Sequence, residues 1–379
     1  MTEEHRRLRV LFMIDRGGEL GGAERFVTGL AMHMPRDRVD PWVCSTRQGN
    51  EKAIRLLGEA GIPHINLNRR AKWDVHRFRH LVAIIRRERF DVLHAHKFGS
   101  NIWGTLIGSR YKVPVVIAHE HNWSYSGNPL RVWLDRRVIS PRATKFVTVS
   151  ASSRTRMIDL EGIDPEKILV MPTAYIPHEN SSSEDVRAEM GLDATTRLIG
   201  VAAGLREEKA LGVMLDAHRL VRDRGLDAHL VLAGDGPCRP ELESQADSLG
   251  LSAYVHFLGW RRDVDSILRA SDVGAMSSDW EGMPLFVFEC MAAQTPLVAT
   301  AVGGIPEIVE DGVTGLLVPL RDPPALADAL ARVLSDHALG ERLANAASER
   351  LHGFQIDQVA SSFADLYEQL VAESIESVG

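Results

Sequence analysis

The sequence predicts an α/β fold: two doubly wound domains in series, each a parallel sheet covered by helices, with a ligand cleft between them. Three observations carry that prediction. Short apolar runs alternate with longer amphipathic stretches along the chain, the pattern of parallel strands with helical crossovers. A length of 379 residues exceeds one ordinary core and divides into two domains of roughly 150–200 residues. One polar, Ser-rich stretch, IPHENSSSEDVRAEMG (176–191), interrupts the pattern and reads as the linker.

The first domain is placed at 1–178, with strands at LRVLFMI (8–14), PWVCS (41–45), DVLHAH (91–96), PVVIAH (114–119) and KFVTVS (145–150), followed by KILVMP (167–172). After the first strand, Ala23, Phe26, Val27, Leu30, Ala31 and Met34 recur at helical spacing and define an amphipathic helix. The second domain, 179–353, contains LIGVAAG (198–204), HLVLAG (229–234), VHFLG (255–259), VGAMS (273–277), LVATAV (297–302) and GLLVP (315–319). The last segment, 354–379, is a helix with Val359, Phe363, Leu366 and Leu370 on one side, suited to packing back toward the first domain.

Composition narrows the function classes. Hydrophobic content of 45% and charged content of 25% are those of a soluble globular chain. There is no uncharged apolar run of about 18 residues, and the N-terminal stretch leads straight into a strand, so a cytoplasmic location is expected. Cys44, Cys238 and Cys290 fit no disulfide or zinc spacing. Charge is unevenly spread: residues 1–178 carry 29 Lys and Arg against 18 Asp and Glu, and the rest 15 against 33. RRAKWDVHRFRH (69–80), RRERF (86–90) and RVWLDRR (131–137) mix cations with aromatics, which fits a solvated face or an anionic partner such as a membrane or a phosphorylated acceptor. No nucleic-acid recognition motif is present.

The chemistry-bearing motifs all fall at expected strand ends, where doubly wound sheets bind ligands. RGGELGGAER (16–25) places Gly17, Gly18, Gly21 and Gly22 at a helix start, where free N–H groups favour phosphate. Its spacing is not that of a dinucleotide site, and no acid stands where a ribose would be held, which argues against a dehydrogenase. HAH (94–96) and HEH (119–121) each put two imidazoles on one face, either converging on a metal such as zinc or meeting ligand hydroxyls. GLREEK (204–209) offers Arg206 and Lys209 to a leaving diphosphate. AGDGP (233–237) and FLGWRRDV (257–264) are further turns, the second placing Gly259 and Trp260 to line a nucleobase. In EGMPLFVFE (281–289), Pro284 suits a first helical turn, leaving Glu281 in the loop before the helix and Glu289 on it. Paired carboxylates there can accept hydroxyl hydrogens from sugar and ribose diols, with a metal bridging both carboxylates and the phosphates as the competing reading.

The E-x7-E pattern of Glu281 and Glu289, the run PLVATAVGGIPEIVEDGVTGLLVP, GGAER and GDGP together resemble the GT-B-fold retaining glycosyltransferases of family 4 over nearly the whole chain. The resemblance implies two Rossmann-like domains facing a central cleft. It assigns Glu281 to the donor sugar's hydroxyls, Glu289 to the ribose, Lys209 and then Arg206 to the diphosphate, and His121, ahead of His119, to the transferred sugar. Gly18, Gly21, Gly22, Gly282, Met283, Pro284 and Leu285 complete the donor site. The implied reaction moves a hexose or N-acetylhexosamine from a nucleoside-diphosphate sugar, UDP ahead of GDP, to a sugar, lipid-linked or phosphorylated acceptor, with retention and without metal or other cofactor. The basic first half adds to the expected cytoplasmic location the option of peripheral contact with the inner membrane face. Two positions depart from the family: Gly204 stands where an Arg is frequent, with Arg206 as a displaced cation, and Thr173-Ala174 replaces a frequent Asn-Gly. Rival readings on the same residues are a nucleotide-sugar epimerase, a non-catalytic donor-binding protein and a zinc hydrolase.

Overall fold

The computed structural model describes residues 6–15, 21–71, 74–121, 128–177, 186–193 and 195–376. Gly18 and part of the expected linker lie outside them. The chain divides into two units, Met1–Ile176 with Phe354–Gly379, and Pro177–Gly353.

The first unit holds β1 (Leu8–Ile14), β2 (Val39–Ser45), β3 (His64–Asn66), β4 (Val92–His96), β5 (Val115–Glu120), β6 (Lys145–Thr148) and β7 (Ile168–Val170). They form one parallel sheet in the order β3-β2-β1-β4-β5-β6-β7, so the direction of strand addition reverses between β1 and β4. The second unit holds β8 (Arg197–Ala202), β9 (Ala228–Ala233), β10 (Val255–Gly259), β11 (Val273–Met276), β12 (Leu297–Thr300) and β13 (Leu316–Val318). This sheet is also parallel, ordered β10-β9-β8-β11-β12-β13, and its reversal lies between β8 and β11. Both are doubly wound sheets, and in each the reversal opens a crevice at the carboxyl edge of the strands.

The central strands are apolar on both faces because helices cover both: Val10, Leu11, Phe12 and Met13 are all fully buried. The helix Gly22–His33 buries Phe26, Val27, Leu30 and Ala31 on one side of the first sheet. Beside it the helix Ile356–Glu376 buries Val359, Phe363, Tyr367 and Leu370. Polar contacts pin that helix from outside: Arg38 donates to Glu368 at 2.9 Å and Asp365 at 2.6 Å, and His33 Nδ1 meets Asp357 at 2.7 Å. In the second unit, Leu211, Met214, Leu215 and Val221 of the helix Leu211–Asp223 pack with Leu326, Leu330 and Val333 of the helix Pro323–Ser335.

Strand β3 has no counterpart in the sequence pattern, since its three residues bury only Ile65. Pro284 also differs slightly from expectation. It is the extended residue that precedes the helix Leu285–Ala293, not a member of its first turn.

Candidate active site

In the second unit the loop after β8 and the loop after β11 meet across the strand-order reversal. Lys209 Nζ donates to Glu281 Oε1 at 2.6 Å, and Ser278 Oγ donates to the same oxygen at 2.7 Å. Glu281 is buried, and its charge is held by these two donors, as a buried carboxylate requires. The loops are fastened by their own strand ends. Ser277 Oγ donates to the carbonyl of Lys209 at 3.0 Å, and Thr300 Oγ1, at the end of β12, donates to the carbonyl of Ser278 at 2.7 Å.

Glycines set how closely these loops approach. A Cβ on Gly303, whose φ is +56°, would lie 1.8 Å from the Glu281 carbonyl oxygen, and Gly304 N–H donates to the Gly282 carbonyl at 2.9 Å. A Cβ on Gly234 would lie 1.9 Å from the Ala203 carbonyl oxygen, and one on Gly236 2.3 Å from that of Leu205. The VGGIPE and AGDGP motifs thus press one loop on Glu281 and another on the Lys209 loop.

Arg206 is exposed, and its Nε lies 3.6 Å from where a Cβ on Gly204 would stand. Its side chain therefore passes over the glycine that replaces the family's frequent arginine. Met283 and Glu289 are buried, Glu289 on the helix Leu285–Ala293. Gly282 is buried and Leu285 partly so. Gly259 takes φ +66° at the end of β10, where its carbonyl accepts from Gly234 N–H at 2.7 Å. Trp260 is exposed beside it, with the Arg262 guanidinium 5.2 Å from its ring centroid.

The first unit gathers its own polar groups at the corresponding edge. Glu24, in the helix that Gly21 caps and Gly22 begins, accepts from Lys97 Nζ at 2.7 Å across the β1/β4 reversal. Asp15, at the end of β1, accepts from Thr46 Oγ1 at 3.0 Å and Ser100 Oγ at 3.1 Å; burial, only partly offset by these bonds, raises its pKa.

His94, His96, His119 and His121 do converge. His94 and His119 share a contact of 3.2 Å between Nε2 and Nδ1, and His96 and His121 one of 3.0 Å between Nδ1 and Nε2. His119 and His121 stack with centroids 4.2 Å apart, as do His94 and His119 at 5.2 Å, while His94 and His96 are tilted with centroids 4.1 Å apart. Phe12, Phe26, Phe363 and Tyr367 surround them, and Tyr367 Oη lies 2.7 Å from His94 Nδ1. Burial, first, and the neighbouring imidazoles, second, hold His94, His96 and His119 well below the usual histidine pKa; burial and then Lys97 lower His121 to about 3. All four are neutral at physiological pH. His94, His96 and His119 each bring a ring nitrogen within 4.8 Å of the others, a donor set of the kind zinc accepts, though no carboxylate or thiolate among the described residues joins it. His121 stands at the rim and His119 deep within, which separates the two candidates that the HEH motif offers.

Residues 196–336 match the profile described as glycosyl transferases group 1, and residues 20–177 the one described as glycosyltransferase family 4. The D-inositol 3-phosphate glycosyltransferase of Actinosynnema mirum is 31% identical over 306 residues, 74% of this chain and 72% of that protein. The chain belongs to the group 1, family 4 glycosyltransferases. This glycosyltransferase is also 25% identical, over 77% of its length and 78% of the other, to the UDP-Gal:alpha-D-GlcNAc-diphosphoundecaprenol alpha-1,3-galactosyltransferase of Escherichia coli. Its fold matches that of Anabaena HepE, solved in complex with UDP and glucose, with a TM-score of 0.83 at 22% identity, covering 96% of this chain and 100% of that one. Sucrose-phosphate synthase from Thermosynechococcus elongatus gives 0.78 at 18% identity, with 97% and 100% covered. The fold is GT-B.

Several residues at the glycosyltransferase's sheet edges went unnoticed in the sequence. Asp15, Glu24 and Lys97 gain their meaning from partners far along the chain, so no local spacing marks them. Trp280, immediately before Glu281, has a buried indole N–H without a partner among the described residues. Part of the basic, aromatic sequence is structural: the Arg69 guanidinium lies 4.6 Å from the Phe78 ring centroid, and Arg131 donates to Glu120 at 2.7 Å. Leu130, Trp133, Arg136 and Arg137 remain exposed together around the short helix Pro129–Leu134.

Proposed function

We propose that this glycosyltransferase moves a hexose or N-acetylhexosamine from a nucleoside-diphosphate sugar, uridine-linked in preference to guanosine-linked, to an acceptor hydroxyl with retention at the anomeric carbon. The observation that carries the reading is the meeting of Lys209 with Glu281 at the strand-order reversal. A buried carboxylate accepts sugar hydroxyls, and the ammonium beside it is placed to share its charge with a diphosphate. As the bond from the anomeric carbon to phosphate breaks, negative charge grows on the diphosphate, and Lys209 with the exposed Arg206 neutralises it. The acceptor oxygen attacks the same face, and its proton passes to the departing phosphate oxygen. No carboxylate acts as nucleophile, and no metal is needed. His121 is assigned to an oxygen of the transferred sugar.

The uridine preference is supported by the Escherichia coli relative, whose name specifies a UDP-galactose donor. A lipid-linked or phosphorylated acceptor is supported by that relative's diphosphoundecaprenol acceptor and by the inositol phosphate acceptors of others. Leu130 and Trp133 flanked by Arg136 and Arg137 suit peripheral contact with an anionic bilayer. Nucleoside diphosphate release from a panel of UDP- and GDP-sugars, with and without EDTA, tests the reading. UDP-sugar turnover should resist EDTA and fall at least about 100-fold in Lys209→Ala. Isomerised donor without diphosphate release, or full dependence on an added cation, would contradict it. Pelleting with phosphatidylglycerol vesicles should exceed pelleting with phosphatidylcholine vesicles and drop in Trp133→Ser; equal pelleting removes the membrane contact.

A further inference from the structure

The pairing of the four imidazoles decides how His121 presents its proton. His96 Nδ1 and His121 Nε2 stand 3.0 Å apart, so one of them carries the shared hydrogen. His96 is fully buried, and its other nitrogen, Nε2, has no partner among the described residues. If the shared hydrogen belonged to His121, neutral His96 would hold its own on Nε2 as an unpaired buried N–H, the rarer orphan in folded proteins. With the hydrogen on His96 Nδ1, the orphan is a bare lone pair. The stacked pair beside it is not decided in this way: His94 Nε2 lies 3.2 Å from His119 Nδ1 and His94 Nδ1 2.7 Å from Tyr367 Oη, so in either direction one buried donor, His119 Nε2–H or the Tyr367 O–H, has no acceptor among the described residues.

We propose that His96 is a positioning residue for glycosyl transfer: it donates Nδ1–H to His121 Nε2 and so fixes His121 as the Nδ1–H tautomer. His121 Nδ1 has no hydrogen-bond partner among the described residues, and it carries the donor hydrogen outward. His121 is then a neutral hydrogen-bond donor to an oxygen of the sugar, and it takes no proton during the reaction. The contact with sugar rests on the proposed function. The tautomer does not.

Histidine-selective 13C,15N labelling and long-range 15N–1H correlation of the ligand-free protein read the tautomer directly, with His121 identified by its loss in His121→Asn. The expected wild-type signal is Nδ1–H. An Nε2–H signal overturns the proposal whatever the enzyme's substrate proves to be. In His96→Leu the fixed tautomer should be lost and kcat should fall roughly tenfold or more, the scale seen when a partner that orients a histidine is removed. The Kd for UDP should stay unchanged, and His96→Asn, which keeps a short N–H donor, should restore both signal and turnover. An unchanged tautomer or unchanged kcat in His96→Leu counts against the role, as does stoichiometric zinc in the purified protein, because a metal would occupy the ring lone pairs. If His96→Leu does not fold, the wild-type spectrum alone decides.

Discussion

Lys209 and Glu281 form a pair whose two members stabilise each other before any ligand arrives. Removing the ammonium leaves a carboxylate that is 5% exposed with only Ser278, among the described residues, to answer it. Stranding one member of a buried ion pair costs about 3–5 kcal/mol, and the partial exposure of Lys209 places this case at the lower end or below. Lys209→Ala is therefore expected to lower the urea midpoint as well as turnover, and Glu281→Ala to abolish turnover with a smaller loss of stability. The double variant should be more stable than the sum of the two single losses predicts, a non-additivity of about 1 kcal/mol or more in urea titrations. Strict additivity would mean that the pair is not coupled. Each residue was legible alone in the sequence, as a charge at a strand end beside an apolar run. Their pairing was not, because 72 residues separate them and the contact depends on β8 lying next to β11.

At the scale of elements, the motif glycines act as spacers between loops. Gly303→Ala forces a methyl group against the Glu281 carbonyl, and the loops must part; about 1–3 kcal/mol of stability should be lost, with weaker UDP binding. Gly312 has a positive φ but open space around its Cβ position, so Gly312→Ala should cost about 1 kcal/mol or less and leave UDP binding intact. Equal effects of the two substitutions on UDP binding would show that close approach is irrelevant. The ends of β4 and β5 make a second prediction. Their histidines are held neutral in the folded chain, whereas in the unfolded chain they protonate near pH 6.5. Below that pH the unfolded state binds more protons, so their contribution to stability is fully present above pH 6.5 and is lost as pH falls. The urea midpoint should drop between pH 7.5 and pH 5; a flat or rising midpoint would refute the neutral, buried quartet. HAH and HEH announced four rings on one face, since alternation in strands is local information. That they bond to one another depends on the β4/β5 register, which pairs His96 with His119.

For the whole molecule, the long apolar strands and the helical spacing of Val359, Phe363 and Leu370 made the doubly wound architecture readable, because burial on both faces leaves a strong periodic signal. Strand β3 was too short to leave one. The C-terminal helix belongs to the first unit although it follows the second in sequence. Its Phe363 and Tyr367 fill the core around the histidines, so deleting 356–379 should unfold the first unit and leave the second resistant to protease. Survival of both units would contradict this packing. The account as a whole turns on Lys209 facing a diphosphate. Calorimetric titration of UDP and of uridine into wild type and Lys209→Ala tests this most directly. The account predicts that wild type prefers UDP strongly and that the variant loses about 10- to 100-fold of this preference, the worth of one charge-assisted hydrogen bond, while uridine binds both equally. An unchanged ratio of UDP to uridine affinity in Lys209→Ala would contradict it.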